Sequence, residues 1–173
     1  MAAHARAVRV ALRPHAKTHK SVRIARMQVD AGAIGICCAT LGEAEVMVDA
    51  GIPGVHITSP QVTPPKIARL IALNLRAHHG LSVVVDYPEN LAALDRAALV
   101  AGKRLDVLVD FSAGHHRTGC ASEADLAALA SAAVAAEGLT FRGVNLTLVI
   151  SGTFPFVPSA APRHWRSSIG SGA

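Results

Sequence analysis

Six short aliphatic runs alternate with helix-like segments along this chain, and that alternation limits the folds open to it. The runs are Val8–Leu12, Ile34–Ala39, Gly54–Thr58, Leu81–Asp86, Asp106–Phe111 and Thr140–Asn145, rich in Val, Ile or Leu. Between them lie Ser21–Ala31, Leu41–Ala50, Thr63–His79, Pro88–Ala101 and Ser122–Ala136. The helix signals are local. Thr40 with Glu43, and Ser122 with Asp125, put an acid three residues after an N-cap. Thr63 precedes Pro64, the favoured place for a helix proline. Gly32, Gly51, Gly80, Gly102 and Gly138 stand at the stops. The strand starts are 20 to 34 residues apart. Strand, helix, strand in this rhythm implies parallel strands joined by right-handed crossovers.

Two parallel architectures compete. A doubly wound sheet usually carries a glycine-rich phosphate turn after its first strand. Here the first run leads into Arg13-Pro14-His15-Ala16-Lys17, without glycine. Polar residues instead follow several different strands, as in a (β/α)8 barrel, whose site is built from many strand C-termini. The fold expected is therefore α/β, an incomplete TIM-type barrel of about six βα units, with residues 1–144 as the barrel part. Six strands stop two short of closure, so an open sheet edge is expected to make the chain by itself oligomeric or poorly soluble.

Lys17 is the leading candidate for chemistry. It sits in Arg13-Pro14-His15-Ala16-Lys17-Thr18-His19-Lys20, a cluster suited to holding an amine at an open strand end. A lysine attacks a carbonyl only as the neutral amine, which desolvation and neighbouring cations favour. A solvated basic loop is the plainer reading. Against it, Pro14 stiffens the run, and a second polar strand end recurs at Gly114-His115-His116-Arg117-Thr118-Gly119. His15, His19, His115 and His116 could converge like a zinc site, which spacing alone leaves open. His78 and His79 read as a solvated helix end, and His56 as packing or a rim residue.

Composition excludes several classes. Aliphatic residues dominate and aromatics are 3%, which suits helices on buried parallel strands. The net charge of +5 lacks a continuous basic stripe with interleaved aromatics, so small anions fit better than nucleic acid. No apolar stretch is long enough for a bilayer span, and no signal-peptide core opens the chain. Three cysteines, two of them adjacent, argue against a disulfide framework and for a reducing, cytoplasmic setting. From Val144 to Ala173 there is no Asp, Glu or Lys, and Pro155, Pro158 and Pro162 break the pattern. Residues 145–173 read as a divergent, irregular tail: a disordered segment, a linker or an altered reading frame.

The motifs also carry a resemblance. Arg13–Lys20, Ala39-Thr40-Leu41-Gly42-Glu43-Ala44-Glu45 with Asp49-Ala50-Gly51, and Gly114–Gly119 occur in that order. Together they resemble the D-threonine aldolase and D-serine dehydratase family. These are fold-type III pyridoxal-phosphate (PLP) lyases related to the alanine racemase N-terminal barrel. The resemblance implies that Lys17 carries the cofactor as a Schiff base. It implies that Arg117 lies near the cofactor's phenolic oxygen and the substrate carboxylate, and that His15 and His19 line the pocket. The implied partner is a small D-amino acid, with neither nucleic acid nor membrane, and a homodimer stays open. A divalent metal occurs in full-length members, on residues of a C-terminal domain that this chain lacks, so no metal ligand is expected here. The strands that bring the phosphate loops are also missing, and the tail favours an altered reading frame. Little turnover of D-threonine or D-serine is therefore expected. A non-catalytic PLP-binding barrel and an inactive gene fragment are the alternatives.

Overall fold

The computed structural model describes residues 1–114 and 117–146. Five parallel strands form one sheet in simple chain order. They are β1 (Cys37–Cys38), β2 (Val55–Ile57), β3 (Leu81–Val85), β4 (Leu105–Phe111) and β5 (Leu139–Leu146). The helices are α1 (Ala2–Ala7), α2 (Val22–Asp30), α3 (Leu41–Asp49), α4 (Pro64–Arg76), α5 (Pro88–Ala101) and α6 (Glu123–Ala135). A strand order that never reverses is that of a barrel sector, since a doubly wound sheet changes direction at a switch point. The barrel expectation holds.

The helix ends follow the sequence signals. Thr40 Oγ1 accepts from the Glu43 N–H at 3.2 Å, while Glu43 Oε2 accepts from the Ala39 N–H at 2.8 Å. Ser122 Oγ accepts from the Asp125 N–H and Ser21 Oγ from the Ile24 N–H. Gly102 closes α5 in the left-handed region, at φ 69°. Each cap satisfies a backbone donor or acceptor that the helix ladder leaves open.

The first run departs from expectation. Residues 2–7, rich in alanine, wind into α1, and the Val8 and Val10 N–H groups close back on His4 and Ala5. Arg9 adopts φ 56°, which no strand tolerates, and Val8 and Val10 stay exposed. The chain joins the sheet only from Leu12, whose C=O accepts from the Ile34 N–H at 2.9 Å. The Pro14 C=O accepts from the Cys37 N–H at 2.8 Å, and His15 bridges Cys37 in parallel. So Leu12–His15 is a rudimentary edge segment beside five strands, in place of a sixth full strand at 8–12. Pro14, with no N–H to offer, suits such an edge.

The two faces of the sheet differ. Ile57, Val83, Val85, Leu105, Val107 and Val109 pack under the helices against Met47, Leu70, Leu73 and Leu94. The alternate residues His56 and Ser82 are also buried, outside that apolar cluster. They share a register row running His15, Cys37, His56, Ser82, Asp106, Thr140. Between β4 and β5 the register slips: Val107 faces Phe141, yet Val109 faces Val144. One extra residue on β5 makes this a bulge. The strand then runs on to Leu146, past the expected boundary at 144. Residues 147–173, where the rest of the expected tail falls, lie outside the described residues.

Leu94 is fully buried at the centre of α5, whereas Val100 on the same helix is 91% exposed. Leu94→Ala is expected to cost about 2–5 kcal/mol. Val100→Ala should stay within about 0.5 kcal/mol. Urea unfolding of the two variants checks this, and equal costs would misplace the core.

Candidate functional site

Parallel strands end on one side, so Lys17, which follows the edge segment, and Arg117, which follows β4, share the C-terminal rim of the sheet. Lys17 lies in a single 3-10 turn, Ala16–Thr18, with Ala16 wholly buried beneath it. His15 organises the turn. Its Nδ1 accepts from the Lys17 backbone N–H at 3.3 Å, and its Nε2 lies 3.2 Å from Thr58 Oγ1. An accepting Nδ1 leaves the proton on Nε2, which then donates to Thr58. Thr58 Oγ1 donates onward to the Cys38 C=O at 3.2 Å. The imidazole thus ties the turn to β2 across β1. Burial, then the Lys17 charge, lower the pKa of His15, while Glu43 opposes them.

His19 and Lys20 complete the turn. His19 Nδ1 accepts from the Ser21 N–H at 3.1 Å, and its Nε2 is buried without a partner. Lys20 Nζ lies 3.5 Å from Glu43 Oε1. The Lys17 side chain is exposed at the rim and makes no ion pair among the described residues.

The loop carrying Arg117 is held by two strand-end carboxylates that the motif reading did not select. Asp110, 1% exposed on β4, accepts from Thr118 Oγ1 at 3.0 Å and from Asn145 Nδ2 at 2.6 Å. Asp86, just past β3, accepts from the Gly119 N–H at 3.0 Å. The Cys120 N–H donates to the Asp110 C=O and the Ser112 N–H to the Cys120 C=O. A Cβ on Gly119 would sit 2.6 Å from the Ser112 nitrogen, so the final glycine of the motif is required by close packing. Arg117 is exposed at the tip, and His115 and His116 lie outside the described residues. The available signal was a charge inside an aliphatic run: Asp86 closes one strand and Asp110 interrupts another.

His56, read from sequence as packing or a rim residue, is 3% exposed on the inner face. Its Nδ1 lies 2.8 Å from Ser82 Oγ, and its Nε2 has no partner. Burial foremost, then the Arg13 charge, push its pKa down to about 4, with Asn145 and Ser82 opposing. Among the described residues, no group of three or more His, Cys, Asp or Glu is placed to hold a metal ion. No described helix is long and apolar enough to cross a membrane.

Residues 1–151 match the family described as alanine racemase, N-terminal domain. The chain belongs to that family. It is 43% identical over 136 residues to a D-threonine aldolase from Arthrobacter, covering 79% of this chain and 35% of the relative. It is 36% identical over 134 residues to a 3-hydroxy-D-aspartate aldolase from Paracoccus denitrificans, covering 77% and 34%. The crystal structure of D-threonine aldolase from Filomicrobium marinum superposes with a TM-score of 0.80 at 42% identity, covering 83% of this chain and 38% of that one. The chain spans about a third of the length of the curated relatives it matches. As a member of the alanine racemase N-terminal family, it supplies one sector of a barrel.

Two predictions concern the site's framework. The folded protein holds His56 neutral, at a pKa of about 4 against the ordinary 6.5, so the unfolded chain takes the proton first as pH falls. That stability is full above pH 6.5 and is lost between 6.5 and about 4. The loss attributable to His56 is about 3 kcal/mol. Urea midpoints across this range should slope less steeply in His56→Gln, and an unchanged slope would assign the acid sensitivity elsewhere. Thr118→Val should cost about 1–3 kcal/mol, because it strips a donor from buried Asp110. It should also speed amide exchange at Gly119 and Cys120, measurable by hydrogen exchange.

Proposed function

We propose that this chain is the lysine-bearing barrel portion of a PLP-dependent lyase acting on β-hydroxy D-amino acids. The reaction is aldol cleavage, as in the aldolases it resembles, or dehydration of a substrate such as D-serine. Residues 1–146, to the end of β5, are assigned to the barrel, and the sequence beyond them to the divergent tail. The observation that carries the reading is Lys17: a rim lysine in a tight turn whose backbone is fixed by a neutral imidazole. It stands in a chain 43% identical to a D-threonine aldolase.

The residues suit an anionic, aldehyde-bearing cofactor. The rim offers an exposed amine at Lys17, a guanidinium at Arg117 and an unpartnered buried Nε2 at His19. Lys17 would hold PLP through its amine, with Arg117, His15 and His19 lining the same pocket. When bound, PLP supplies an electron sink for the substrate α-carbon. The chain's own task is orientation. His15 has both nitrogens engaged, so it positions Lys17 and leaves proton transfer to other groups. Lys20 is drawn to Glu43. Arg117 offers a planar donor pair to a carboxylate. The Asp110 and Asp86 contacts fix the loop on which that arginine rides.

Incubation with PLP, borohydride reduction and peptide mapping tests the reading. A stable pyridoxyl label on Lys17, lost in Lys17→Ala and kept in Lys20→Ala, is expected. Label on Lys20 or Lys103, or none at all, would reject it. Turnover of D-threonine against D-serine separates the two lyase reactions.

A further inference from the structure

One side of α5 is used neither by the core nor by the pocket proposed above. Glu89, Ala93, Arg96 and Val100 follow one another along it at steps of four, three and four residues. At about 100° per residue they form one outward ridge, opposite the buried Leu91, Leu94 and Ala98. Glu89 and Arg96 are exposed, and Val100 is almost fully so. Beside the ridge runs a cleft of about 630 Å³ between α4 and α5, aliphatic in its walls apart from Arg96. Ile67, Ile71 and Leu75 form one side of it, Ala97 and Ala101 the other. Exposed apolar surface of this extent, with polar residues at its margin, marks an interaction site.

The two charges on this ridge are unpaired. Neither Glu89 nor Arg96 makes an ion pair or a side-chain hydrogen bond among the described residues, whereas Arg69 and Arg76 on α4 are both paired. The acid stands in the first turn of α5, where Asp86 and Asp125 border the adjoining cavity with it. The guanidinium stands two turns further on, at the aliphatic cleft. Ala92 and Ala93 lie between them. The ridge is thus acidic in its first turn, small in the middle and basic beyond. Turned end to end, it is complementary to itself. A two-fold interface requires that property, because one patch supplies both halves. A partner of different sequence requires only one sign of charge on this side.

We infer that the α5 ridge and its cleft form a docking surface for a second copy of this chain. The two α5 helices cross antiparallel about a two-fold axis between Ala92 and Ala93. Glu89 of each copy then meets Arg96 of the other, so two ion pairs form together. Alanines at the crossing let the helix axes approach to about 8 Å, the close end of helix packing. Val100 of each copy comes against the start of the other α5, beside exposed Tyr87. Burial of Val100 and of the cleft supplies the strength of the association. The charge pairs set its orientation and register. The inference rests on neither Lys17 nor PLP.

Sedimentation velocity of the whole 173-residue chain over a concentration series tests this. A reversible monomer–dimer equilibrium is expected. Arg96→Glu and Glu89→Arg should each weaken dimerisation several-fold. The double swap Glu89→Arg/Arg96→Glu should restore it, because the pairs form again with their signs exchanged. Val100→Asp should abolish it. Ala93→Cys should give a covalent dimer on mild oxidation, in excess of what Cys37, Cys38 and Cys120 give in the parent. The three substituted side chains are exposed, and circular dichroism checks that each variant keeps its fold. A chain that stays monomeric, single charge reversals that associate as the parent does, or a double swap no tighter than the singles would each overturn the inference. Association through the β5 edge would ignore all of these substitutions, and would therefore count against it.

Discussion

Parallel hydrogen bonding is the constraint on which the rest of this molecule depends. A parallel pair cannot be closed by a tight turn, so each strand must be followed by a crossover, here a helix. The helices fill one face of the sheet, and every strand ends at the same rim. Residues far apart in sequence, Lys17 and Arg117 among them, are gathered there by direction alone. No interaction between the two is needed to bring them to one edge. What remains for individual contacts is aim: His15 for the lysine turn, Asp110 and Asp86 for the arginine loop.

The opposite face is unusual for its polarity. A buried sheet surface would ordinarily be aliphatic on both sides. This one places His56, Ser82 and Asp110 inside, each with at least one hydrogen bond. Such a face gains less from burial than the helix side does. Its neutral imidazole and satisfied carboxylate are instead specified by partners on neighbouring strands, so the inner face depends on register where the outer face depends on volume.

Much of this was legible in the chain itself. Capping pairs such as Thr40 with Glu43 act over three residues, and local signals of that kind survive without tertiary knowledge. The strand runs were equally plain, because aliphatic stretches of strand length bounded by glycine have few other readings. The first run failed for a physical reason: Val8 and Val10 have strand propensity, but alanines 2, 3, 5 and 7 favour a helix whose closure consumes the following residues. Propensity did not tell which neighbour would win. The site divided along the same line. Lys17, His15, His19 and Arg117 announced themselves as strand-end motifs. Asp110, Thr58 and Asn145 did not, since their partners lie 8 to 43 positions away and are defined only once the strands pair.

The slip between β4 and β5 has a further consequence, for how this chain can vary in length. The bulge absorbs one extra residue before Asn145, whose amide still reaches Asp110 on the inner face. Removing one of the two residues between Phe141 and Val144 would restore a regular ladder with Asn145 still opposite Asp110, whereas inserting a residue between Val144 and Asn145 would turn Asn145 outward. The strand could still pair, and its apolar content would hardly change. Asp110 would lose one of its two side-chain donors, and the clamp on the neighbouring loop would loosen at a distance. Past the bulge a single-codon insertion is thus a more radical edit than most substitutions, while within the bulge homologous chains should tolerate the loss of one residue.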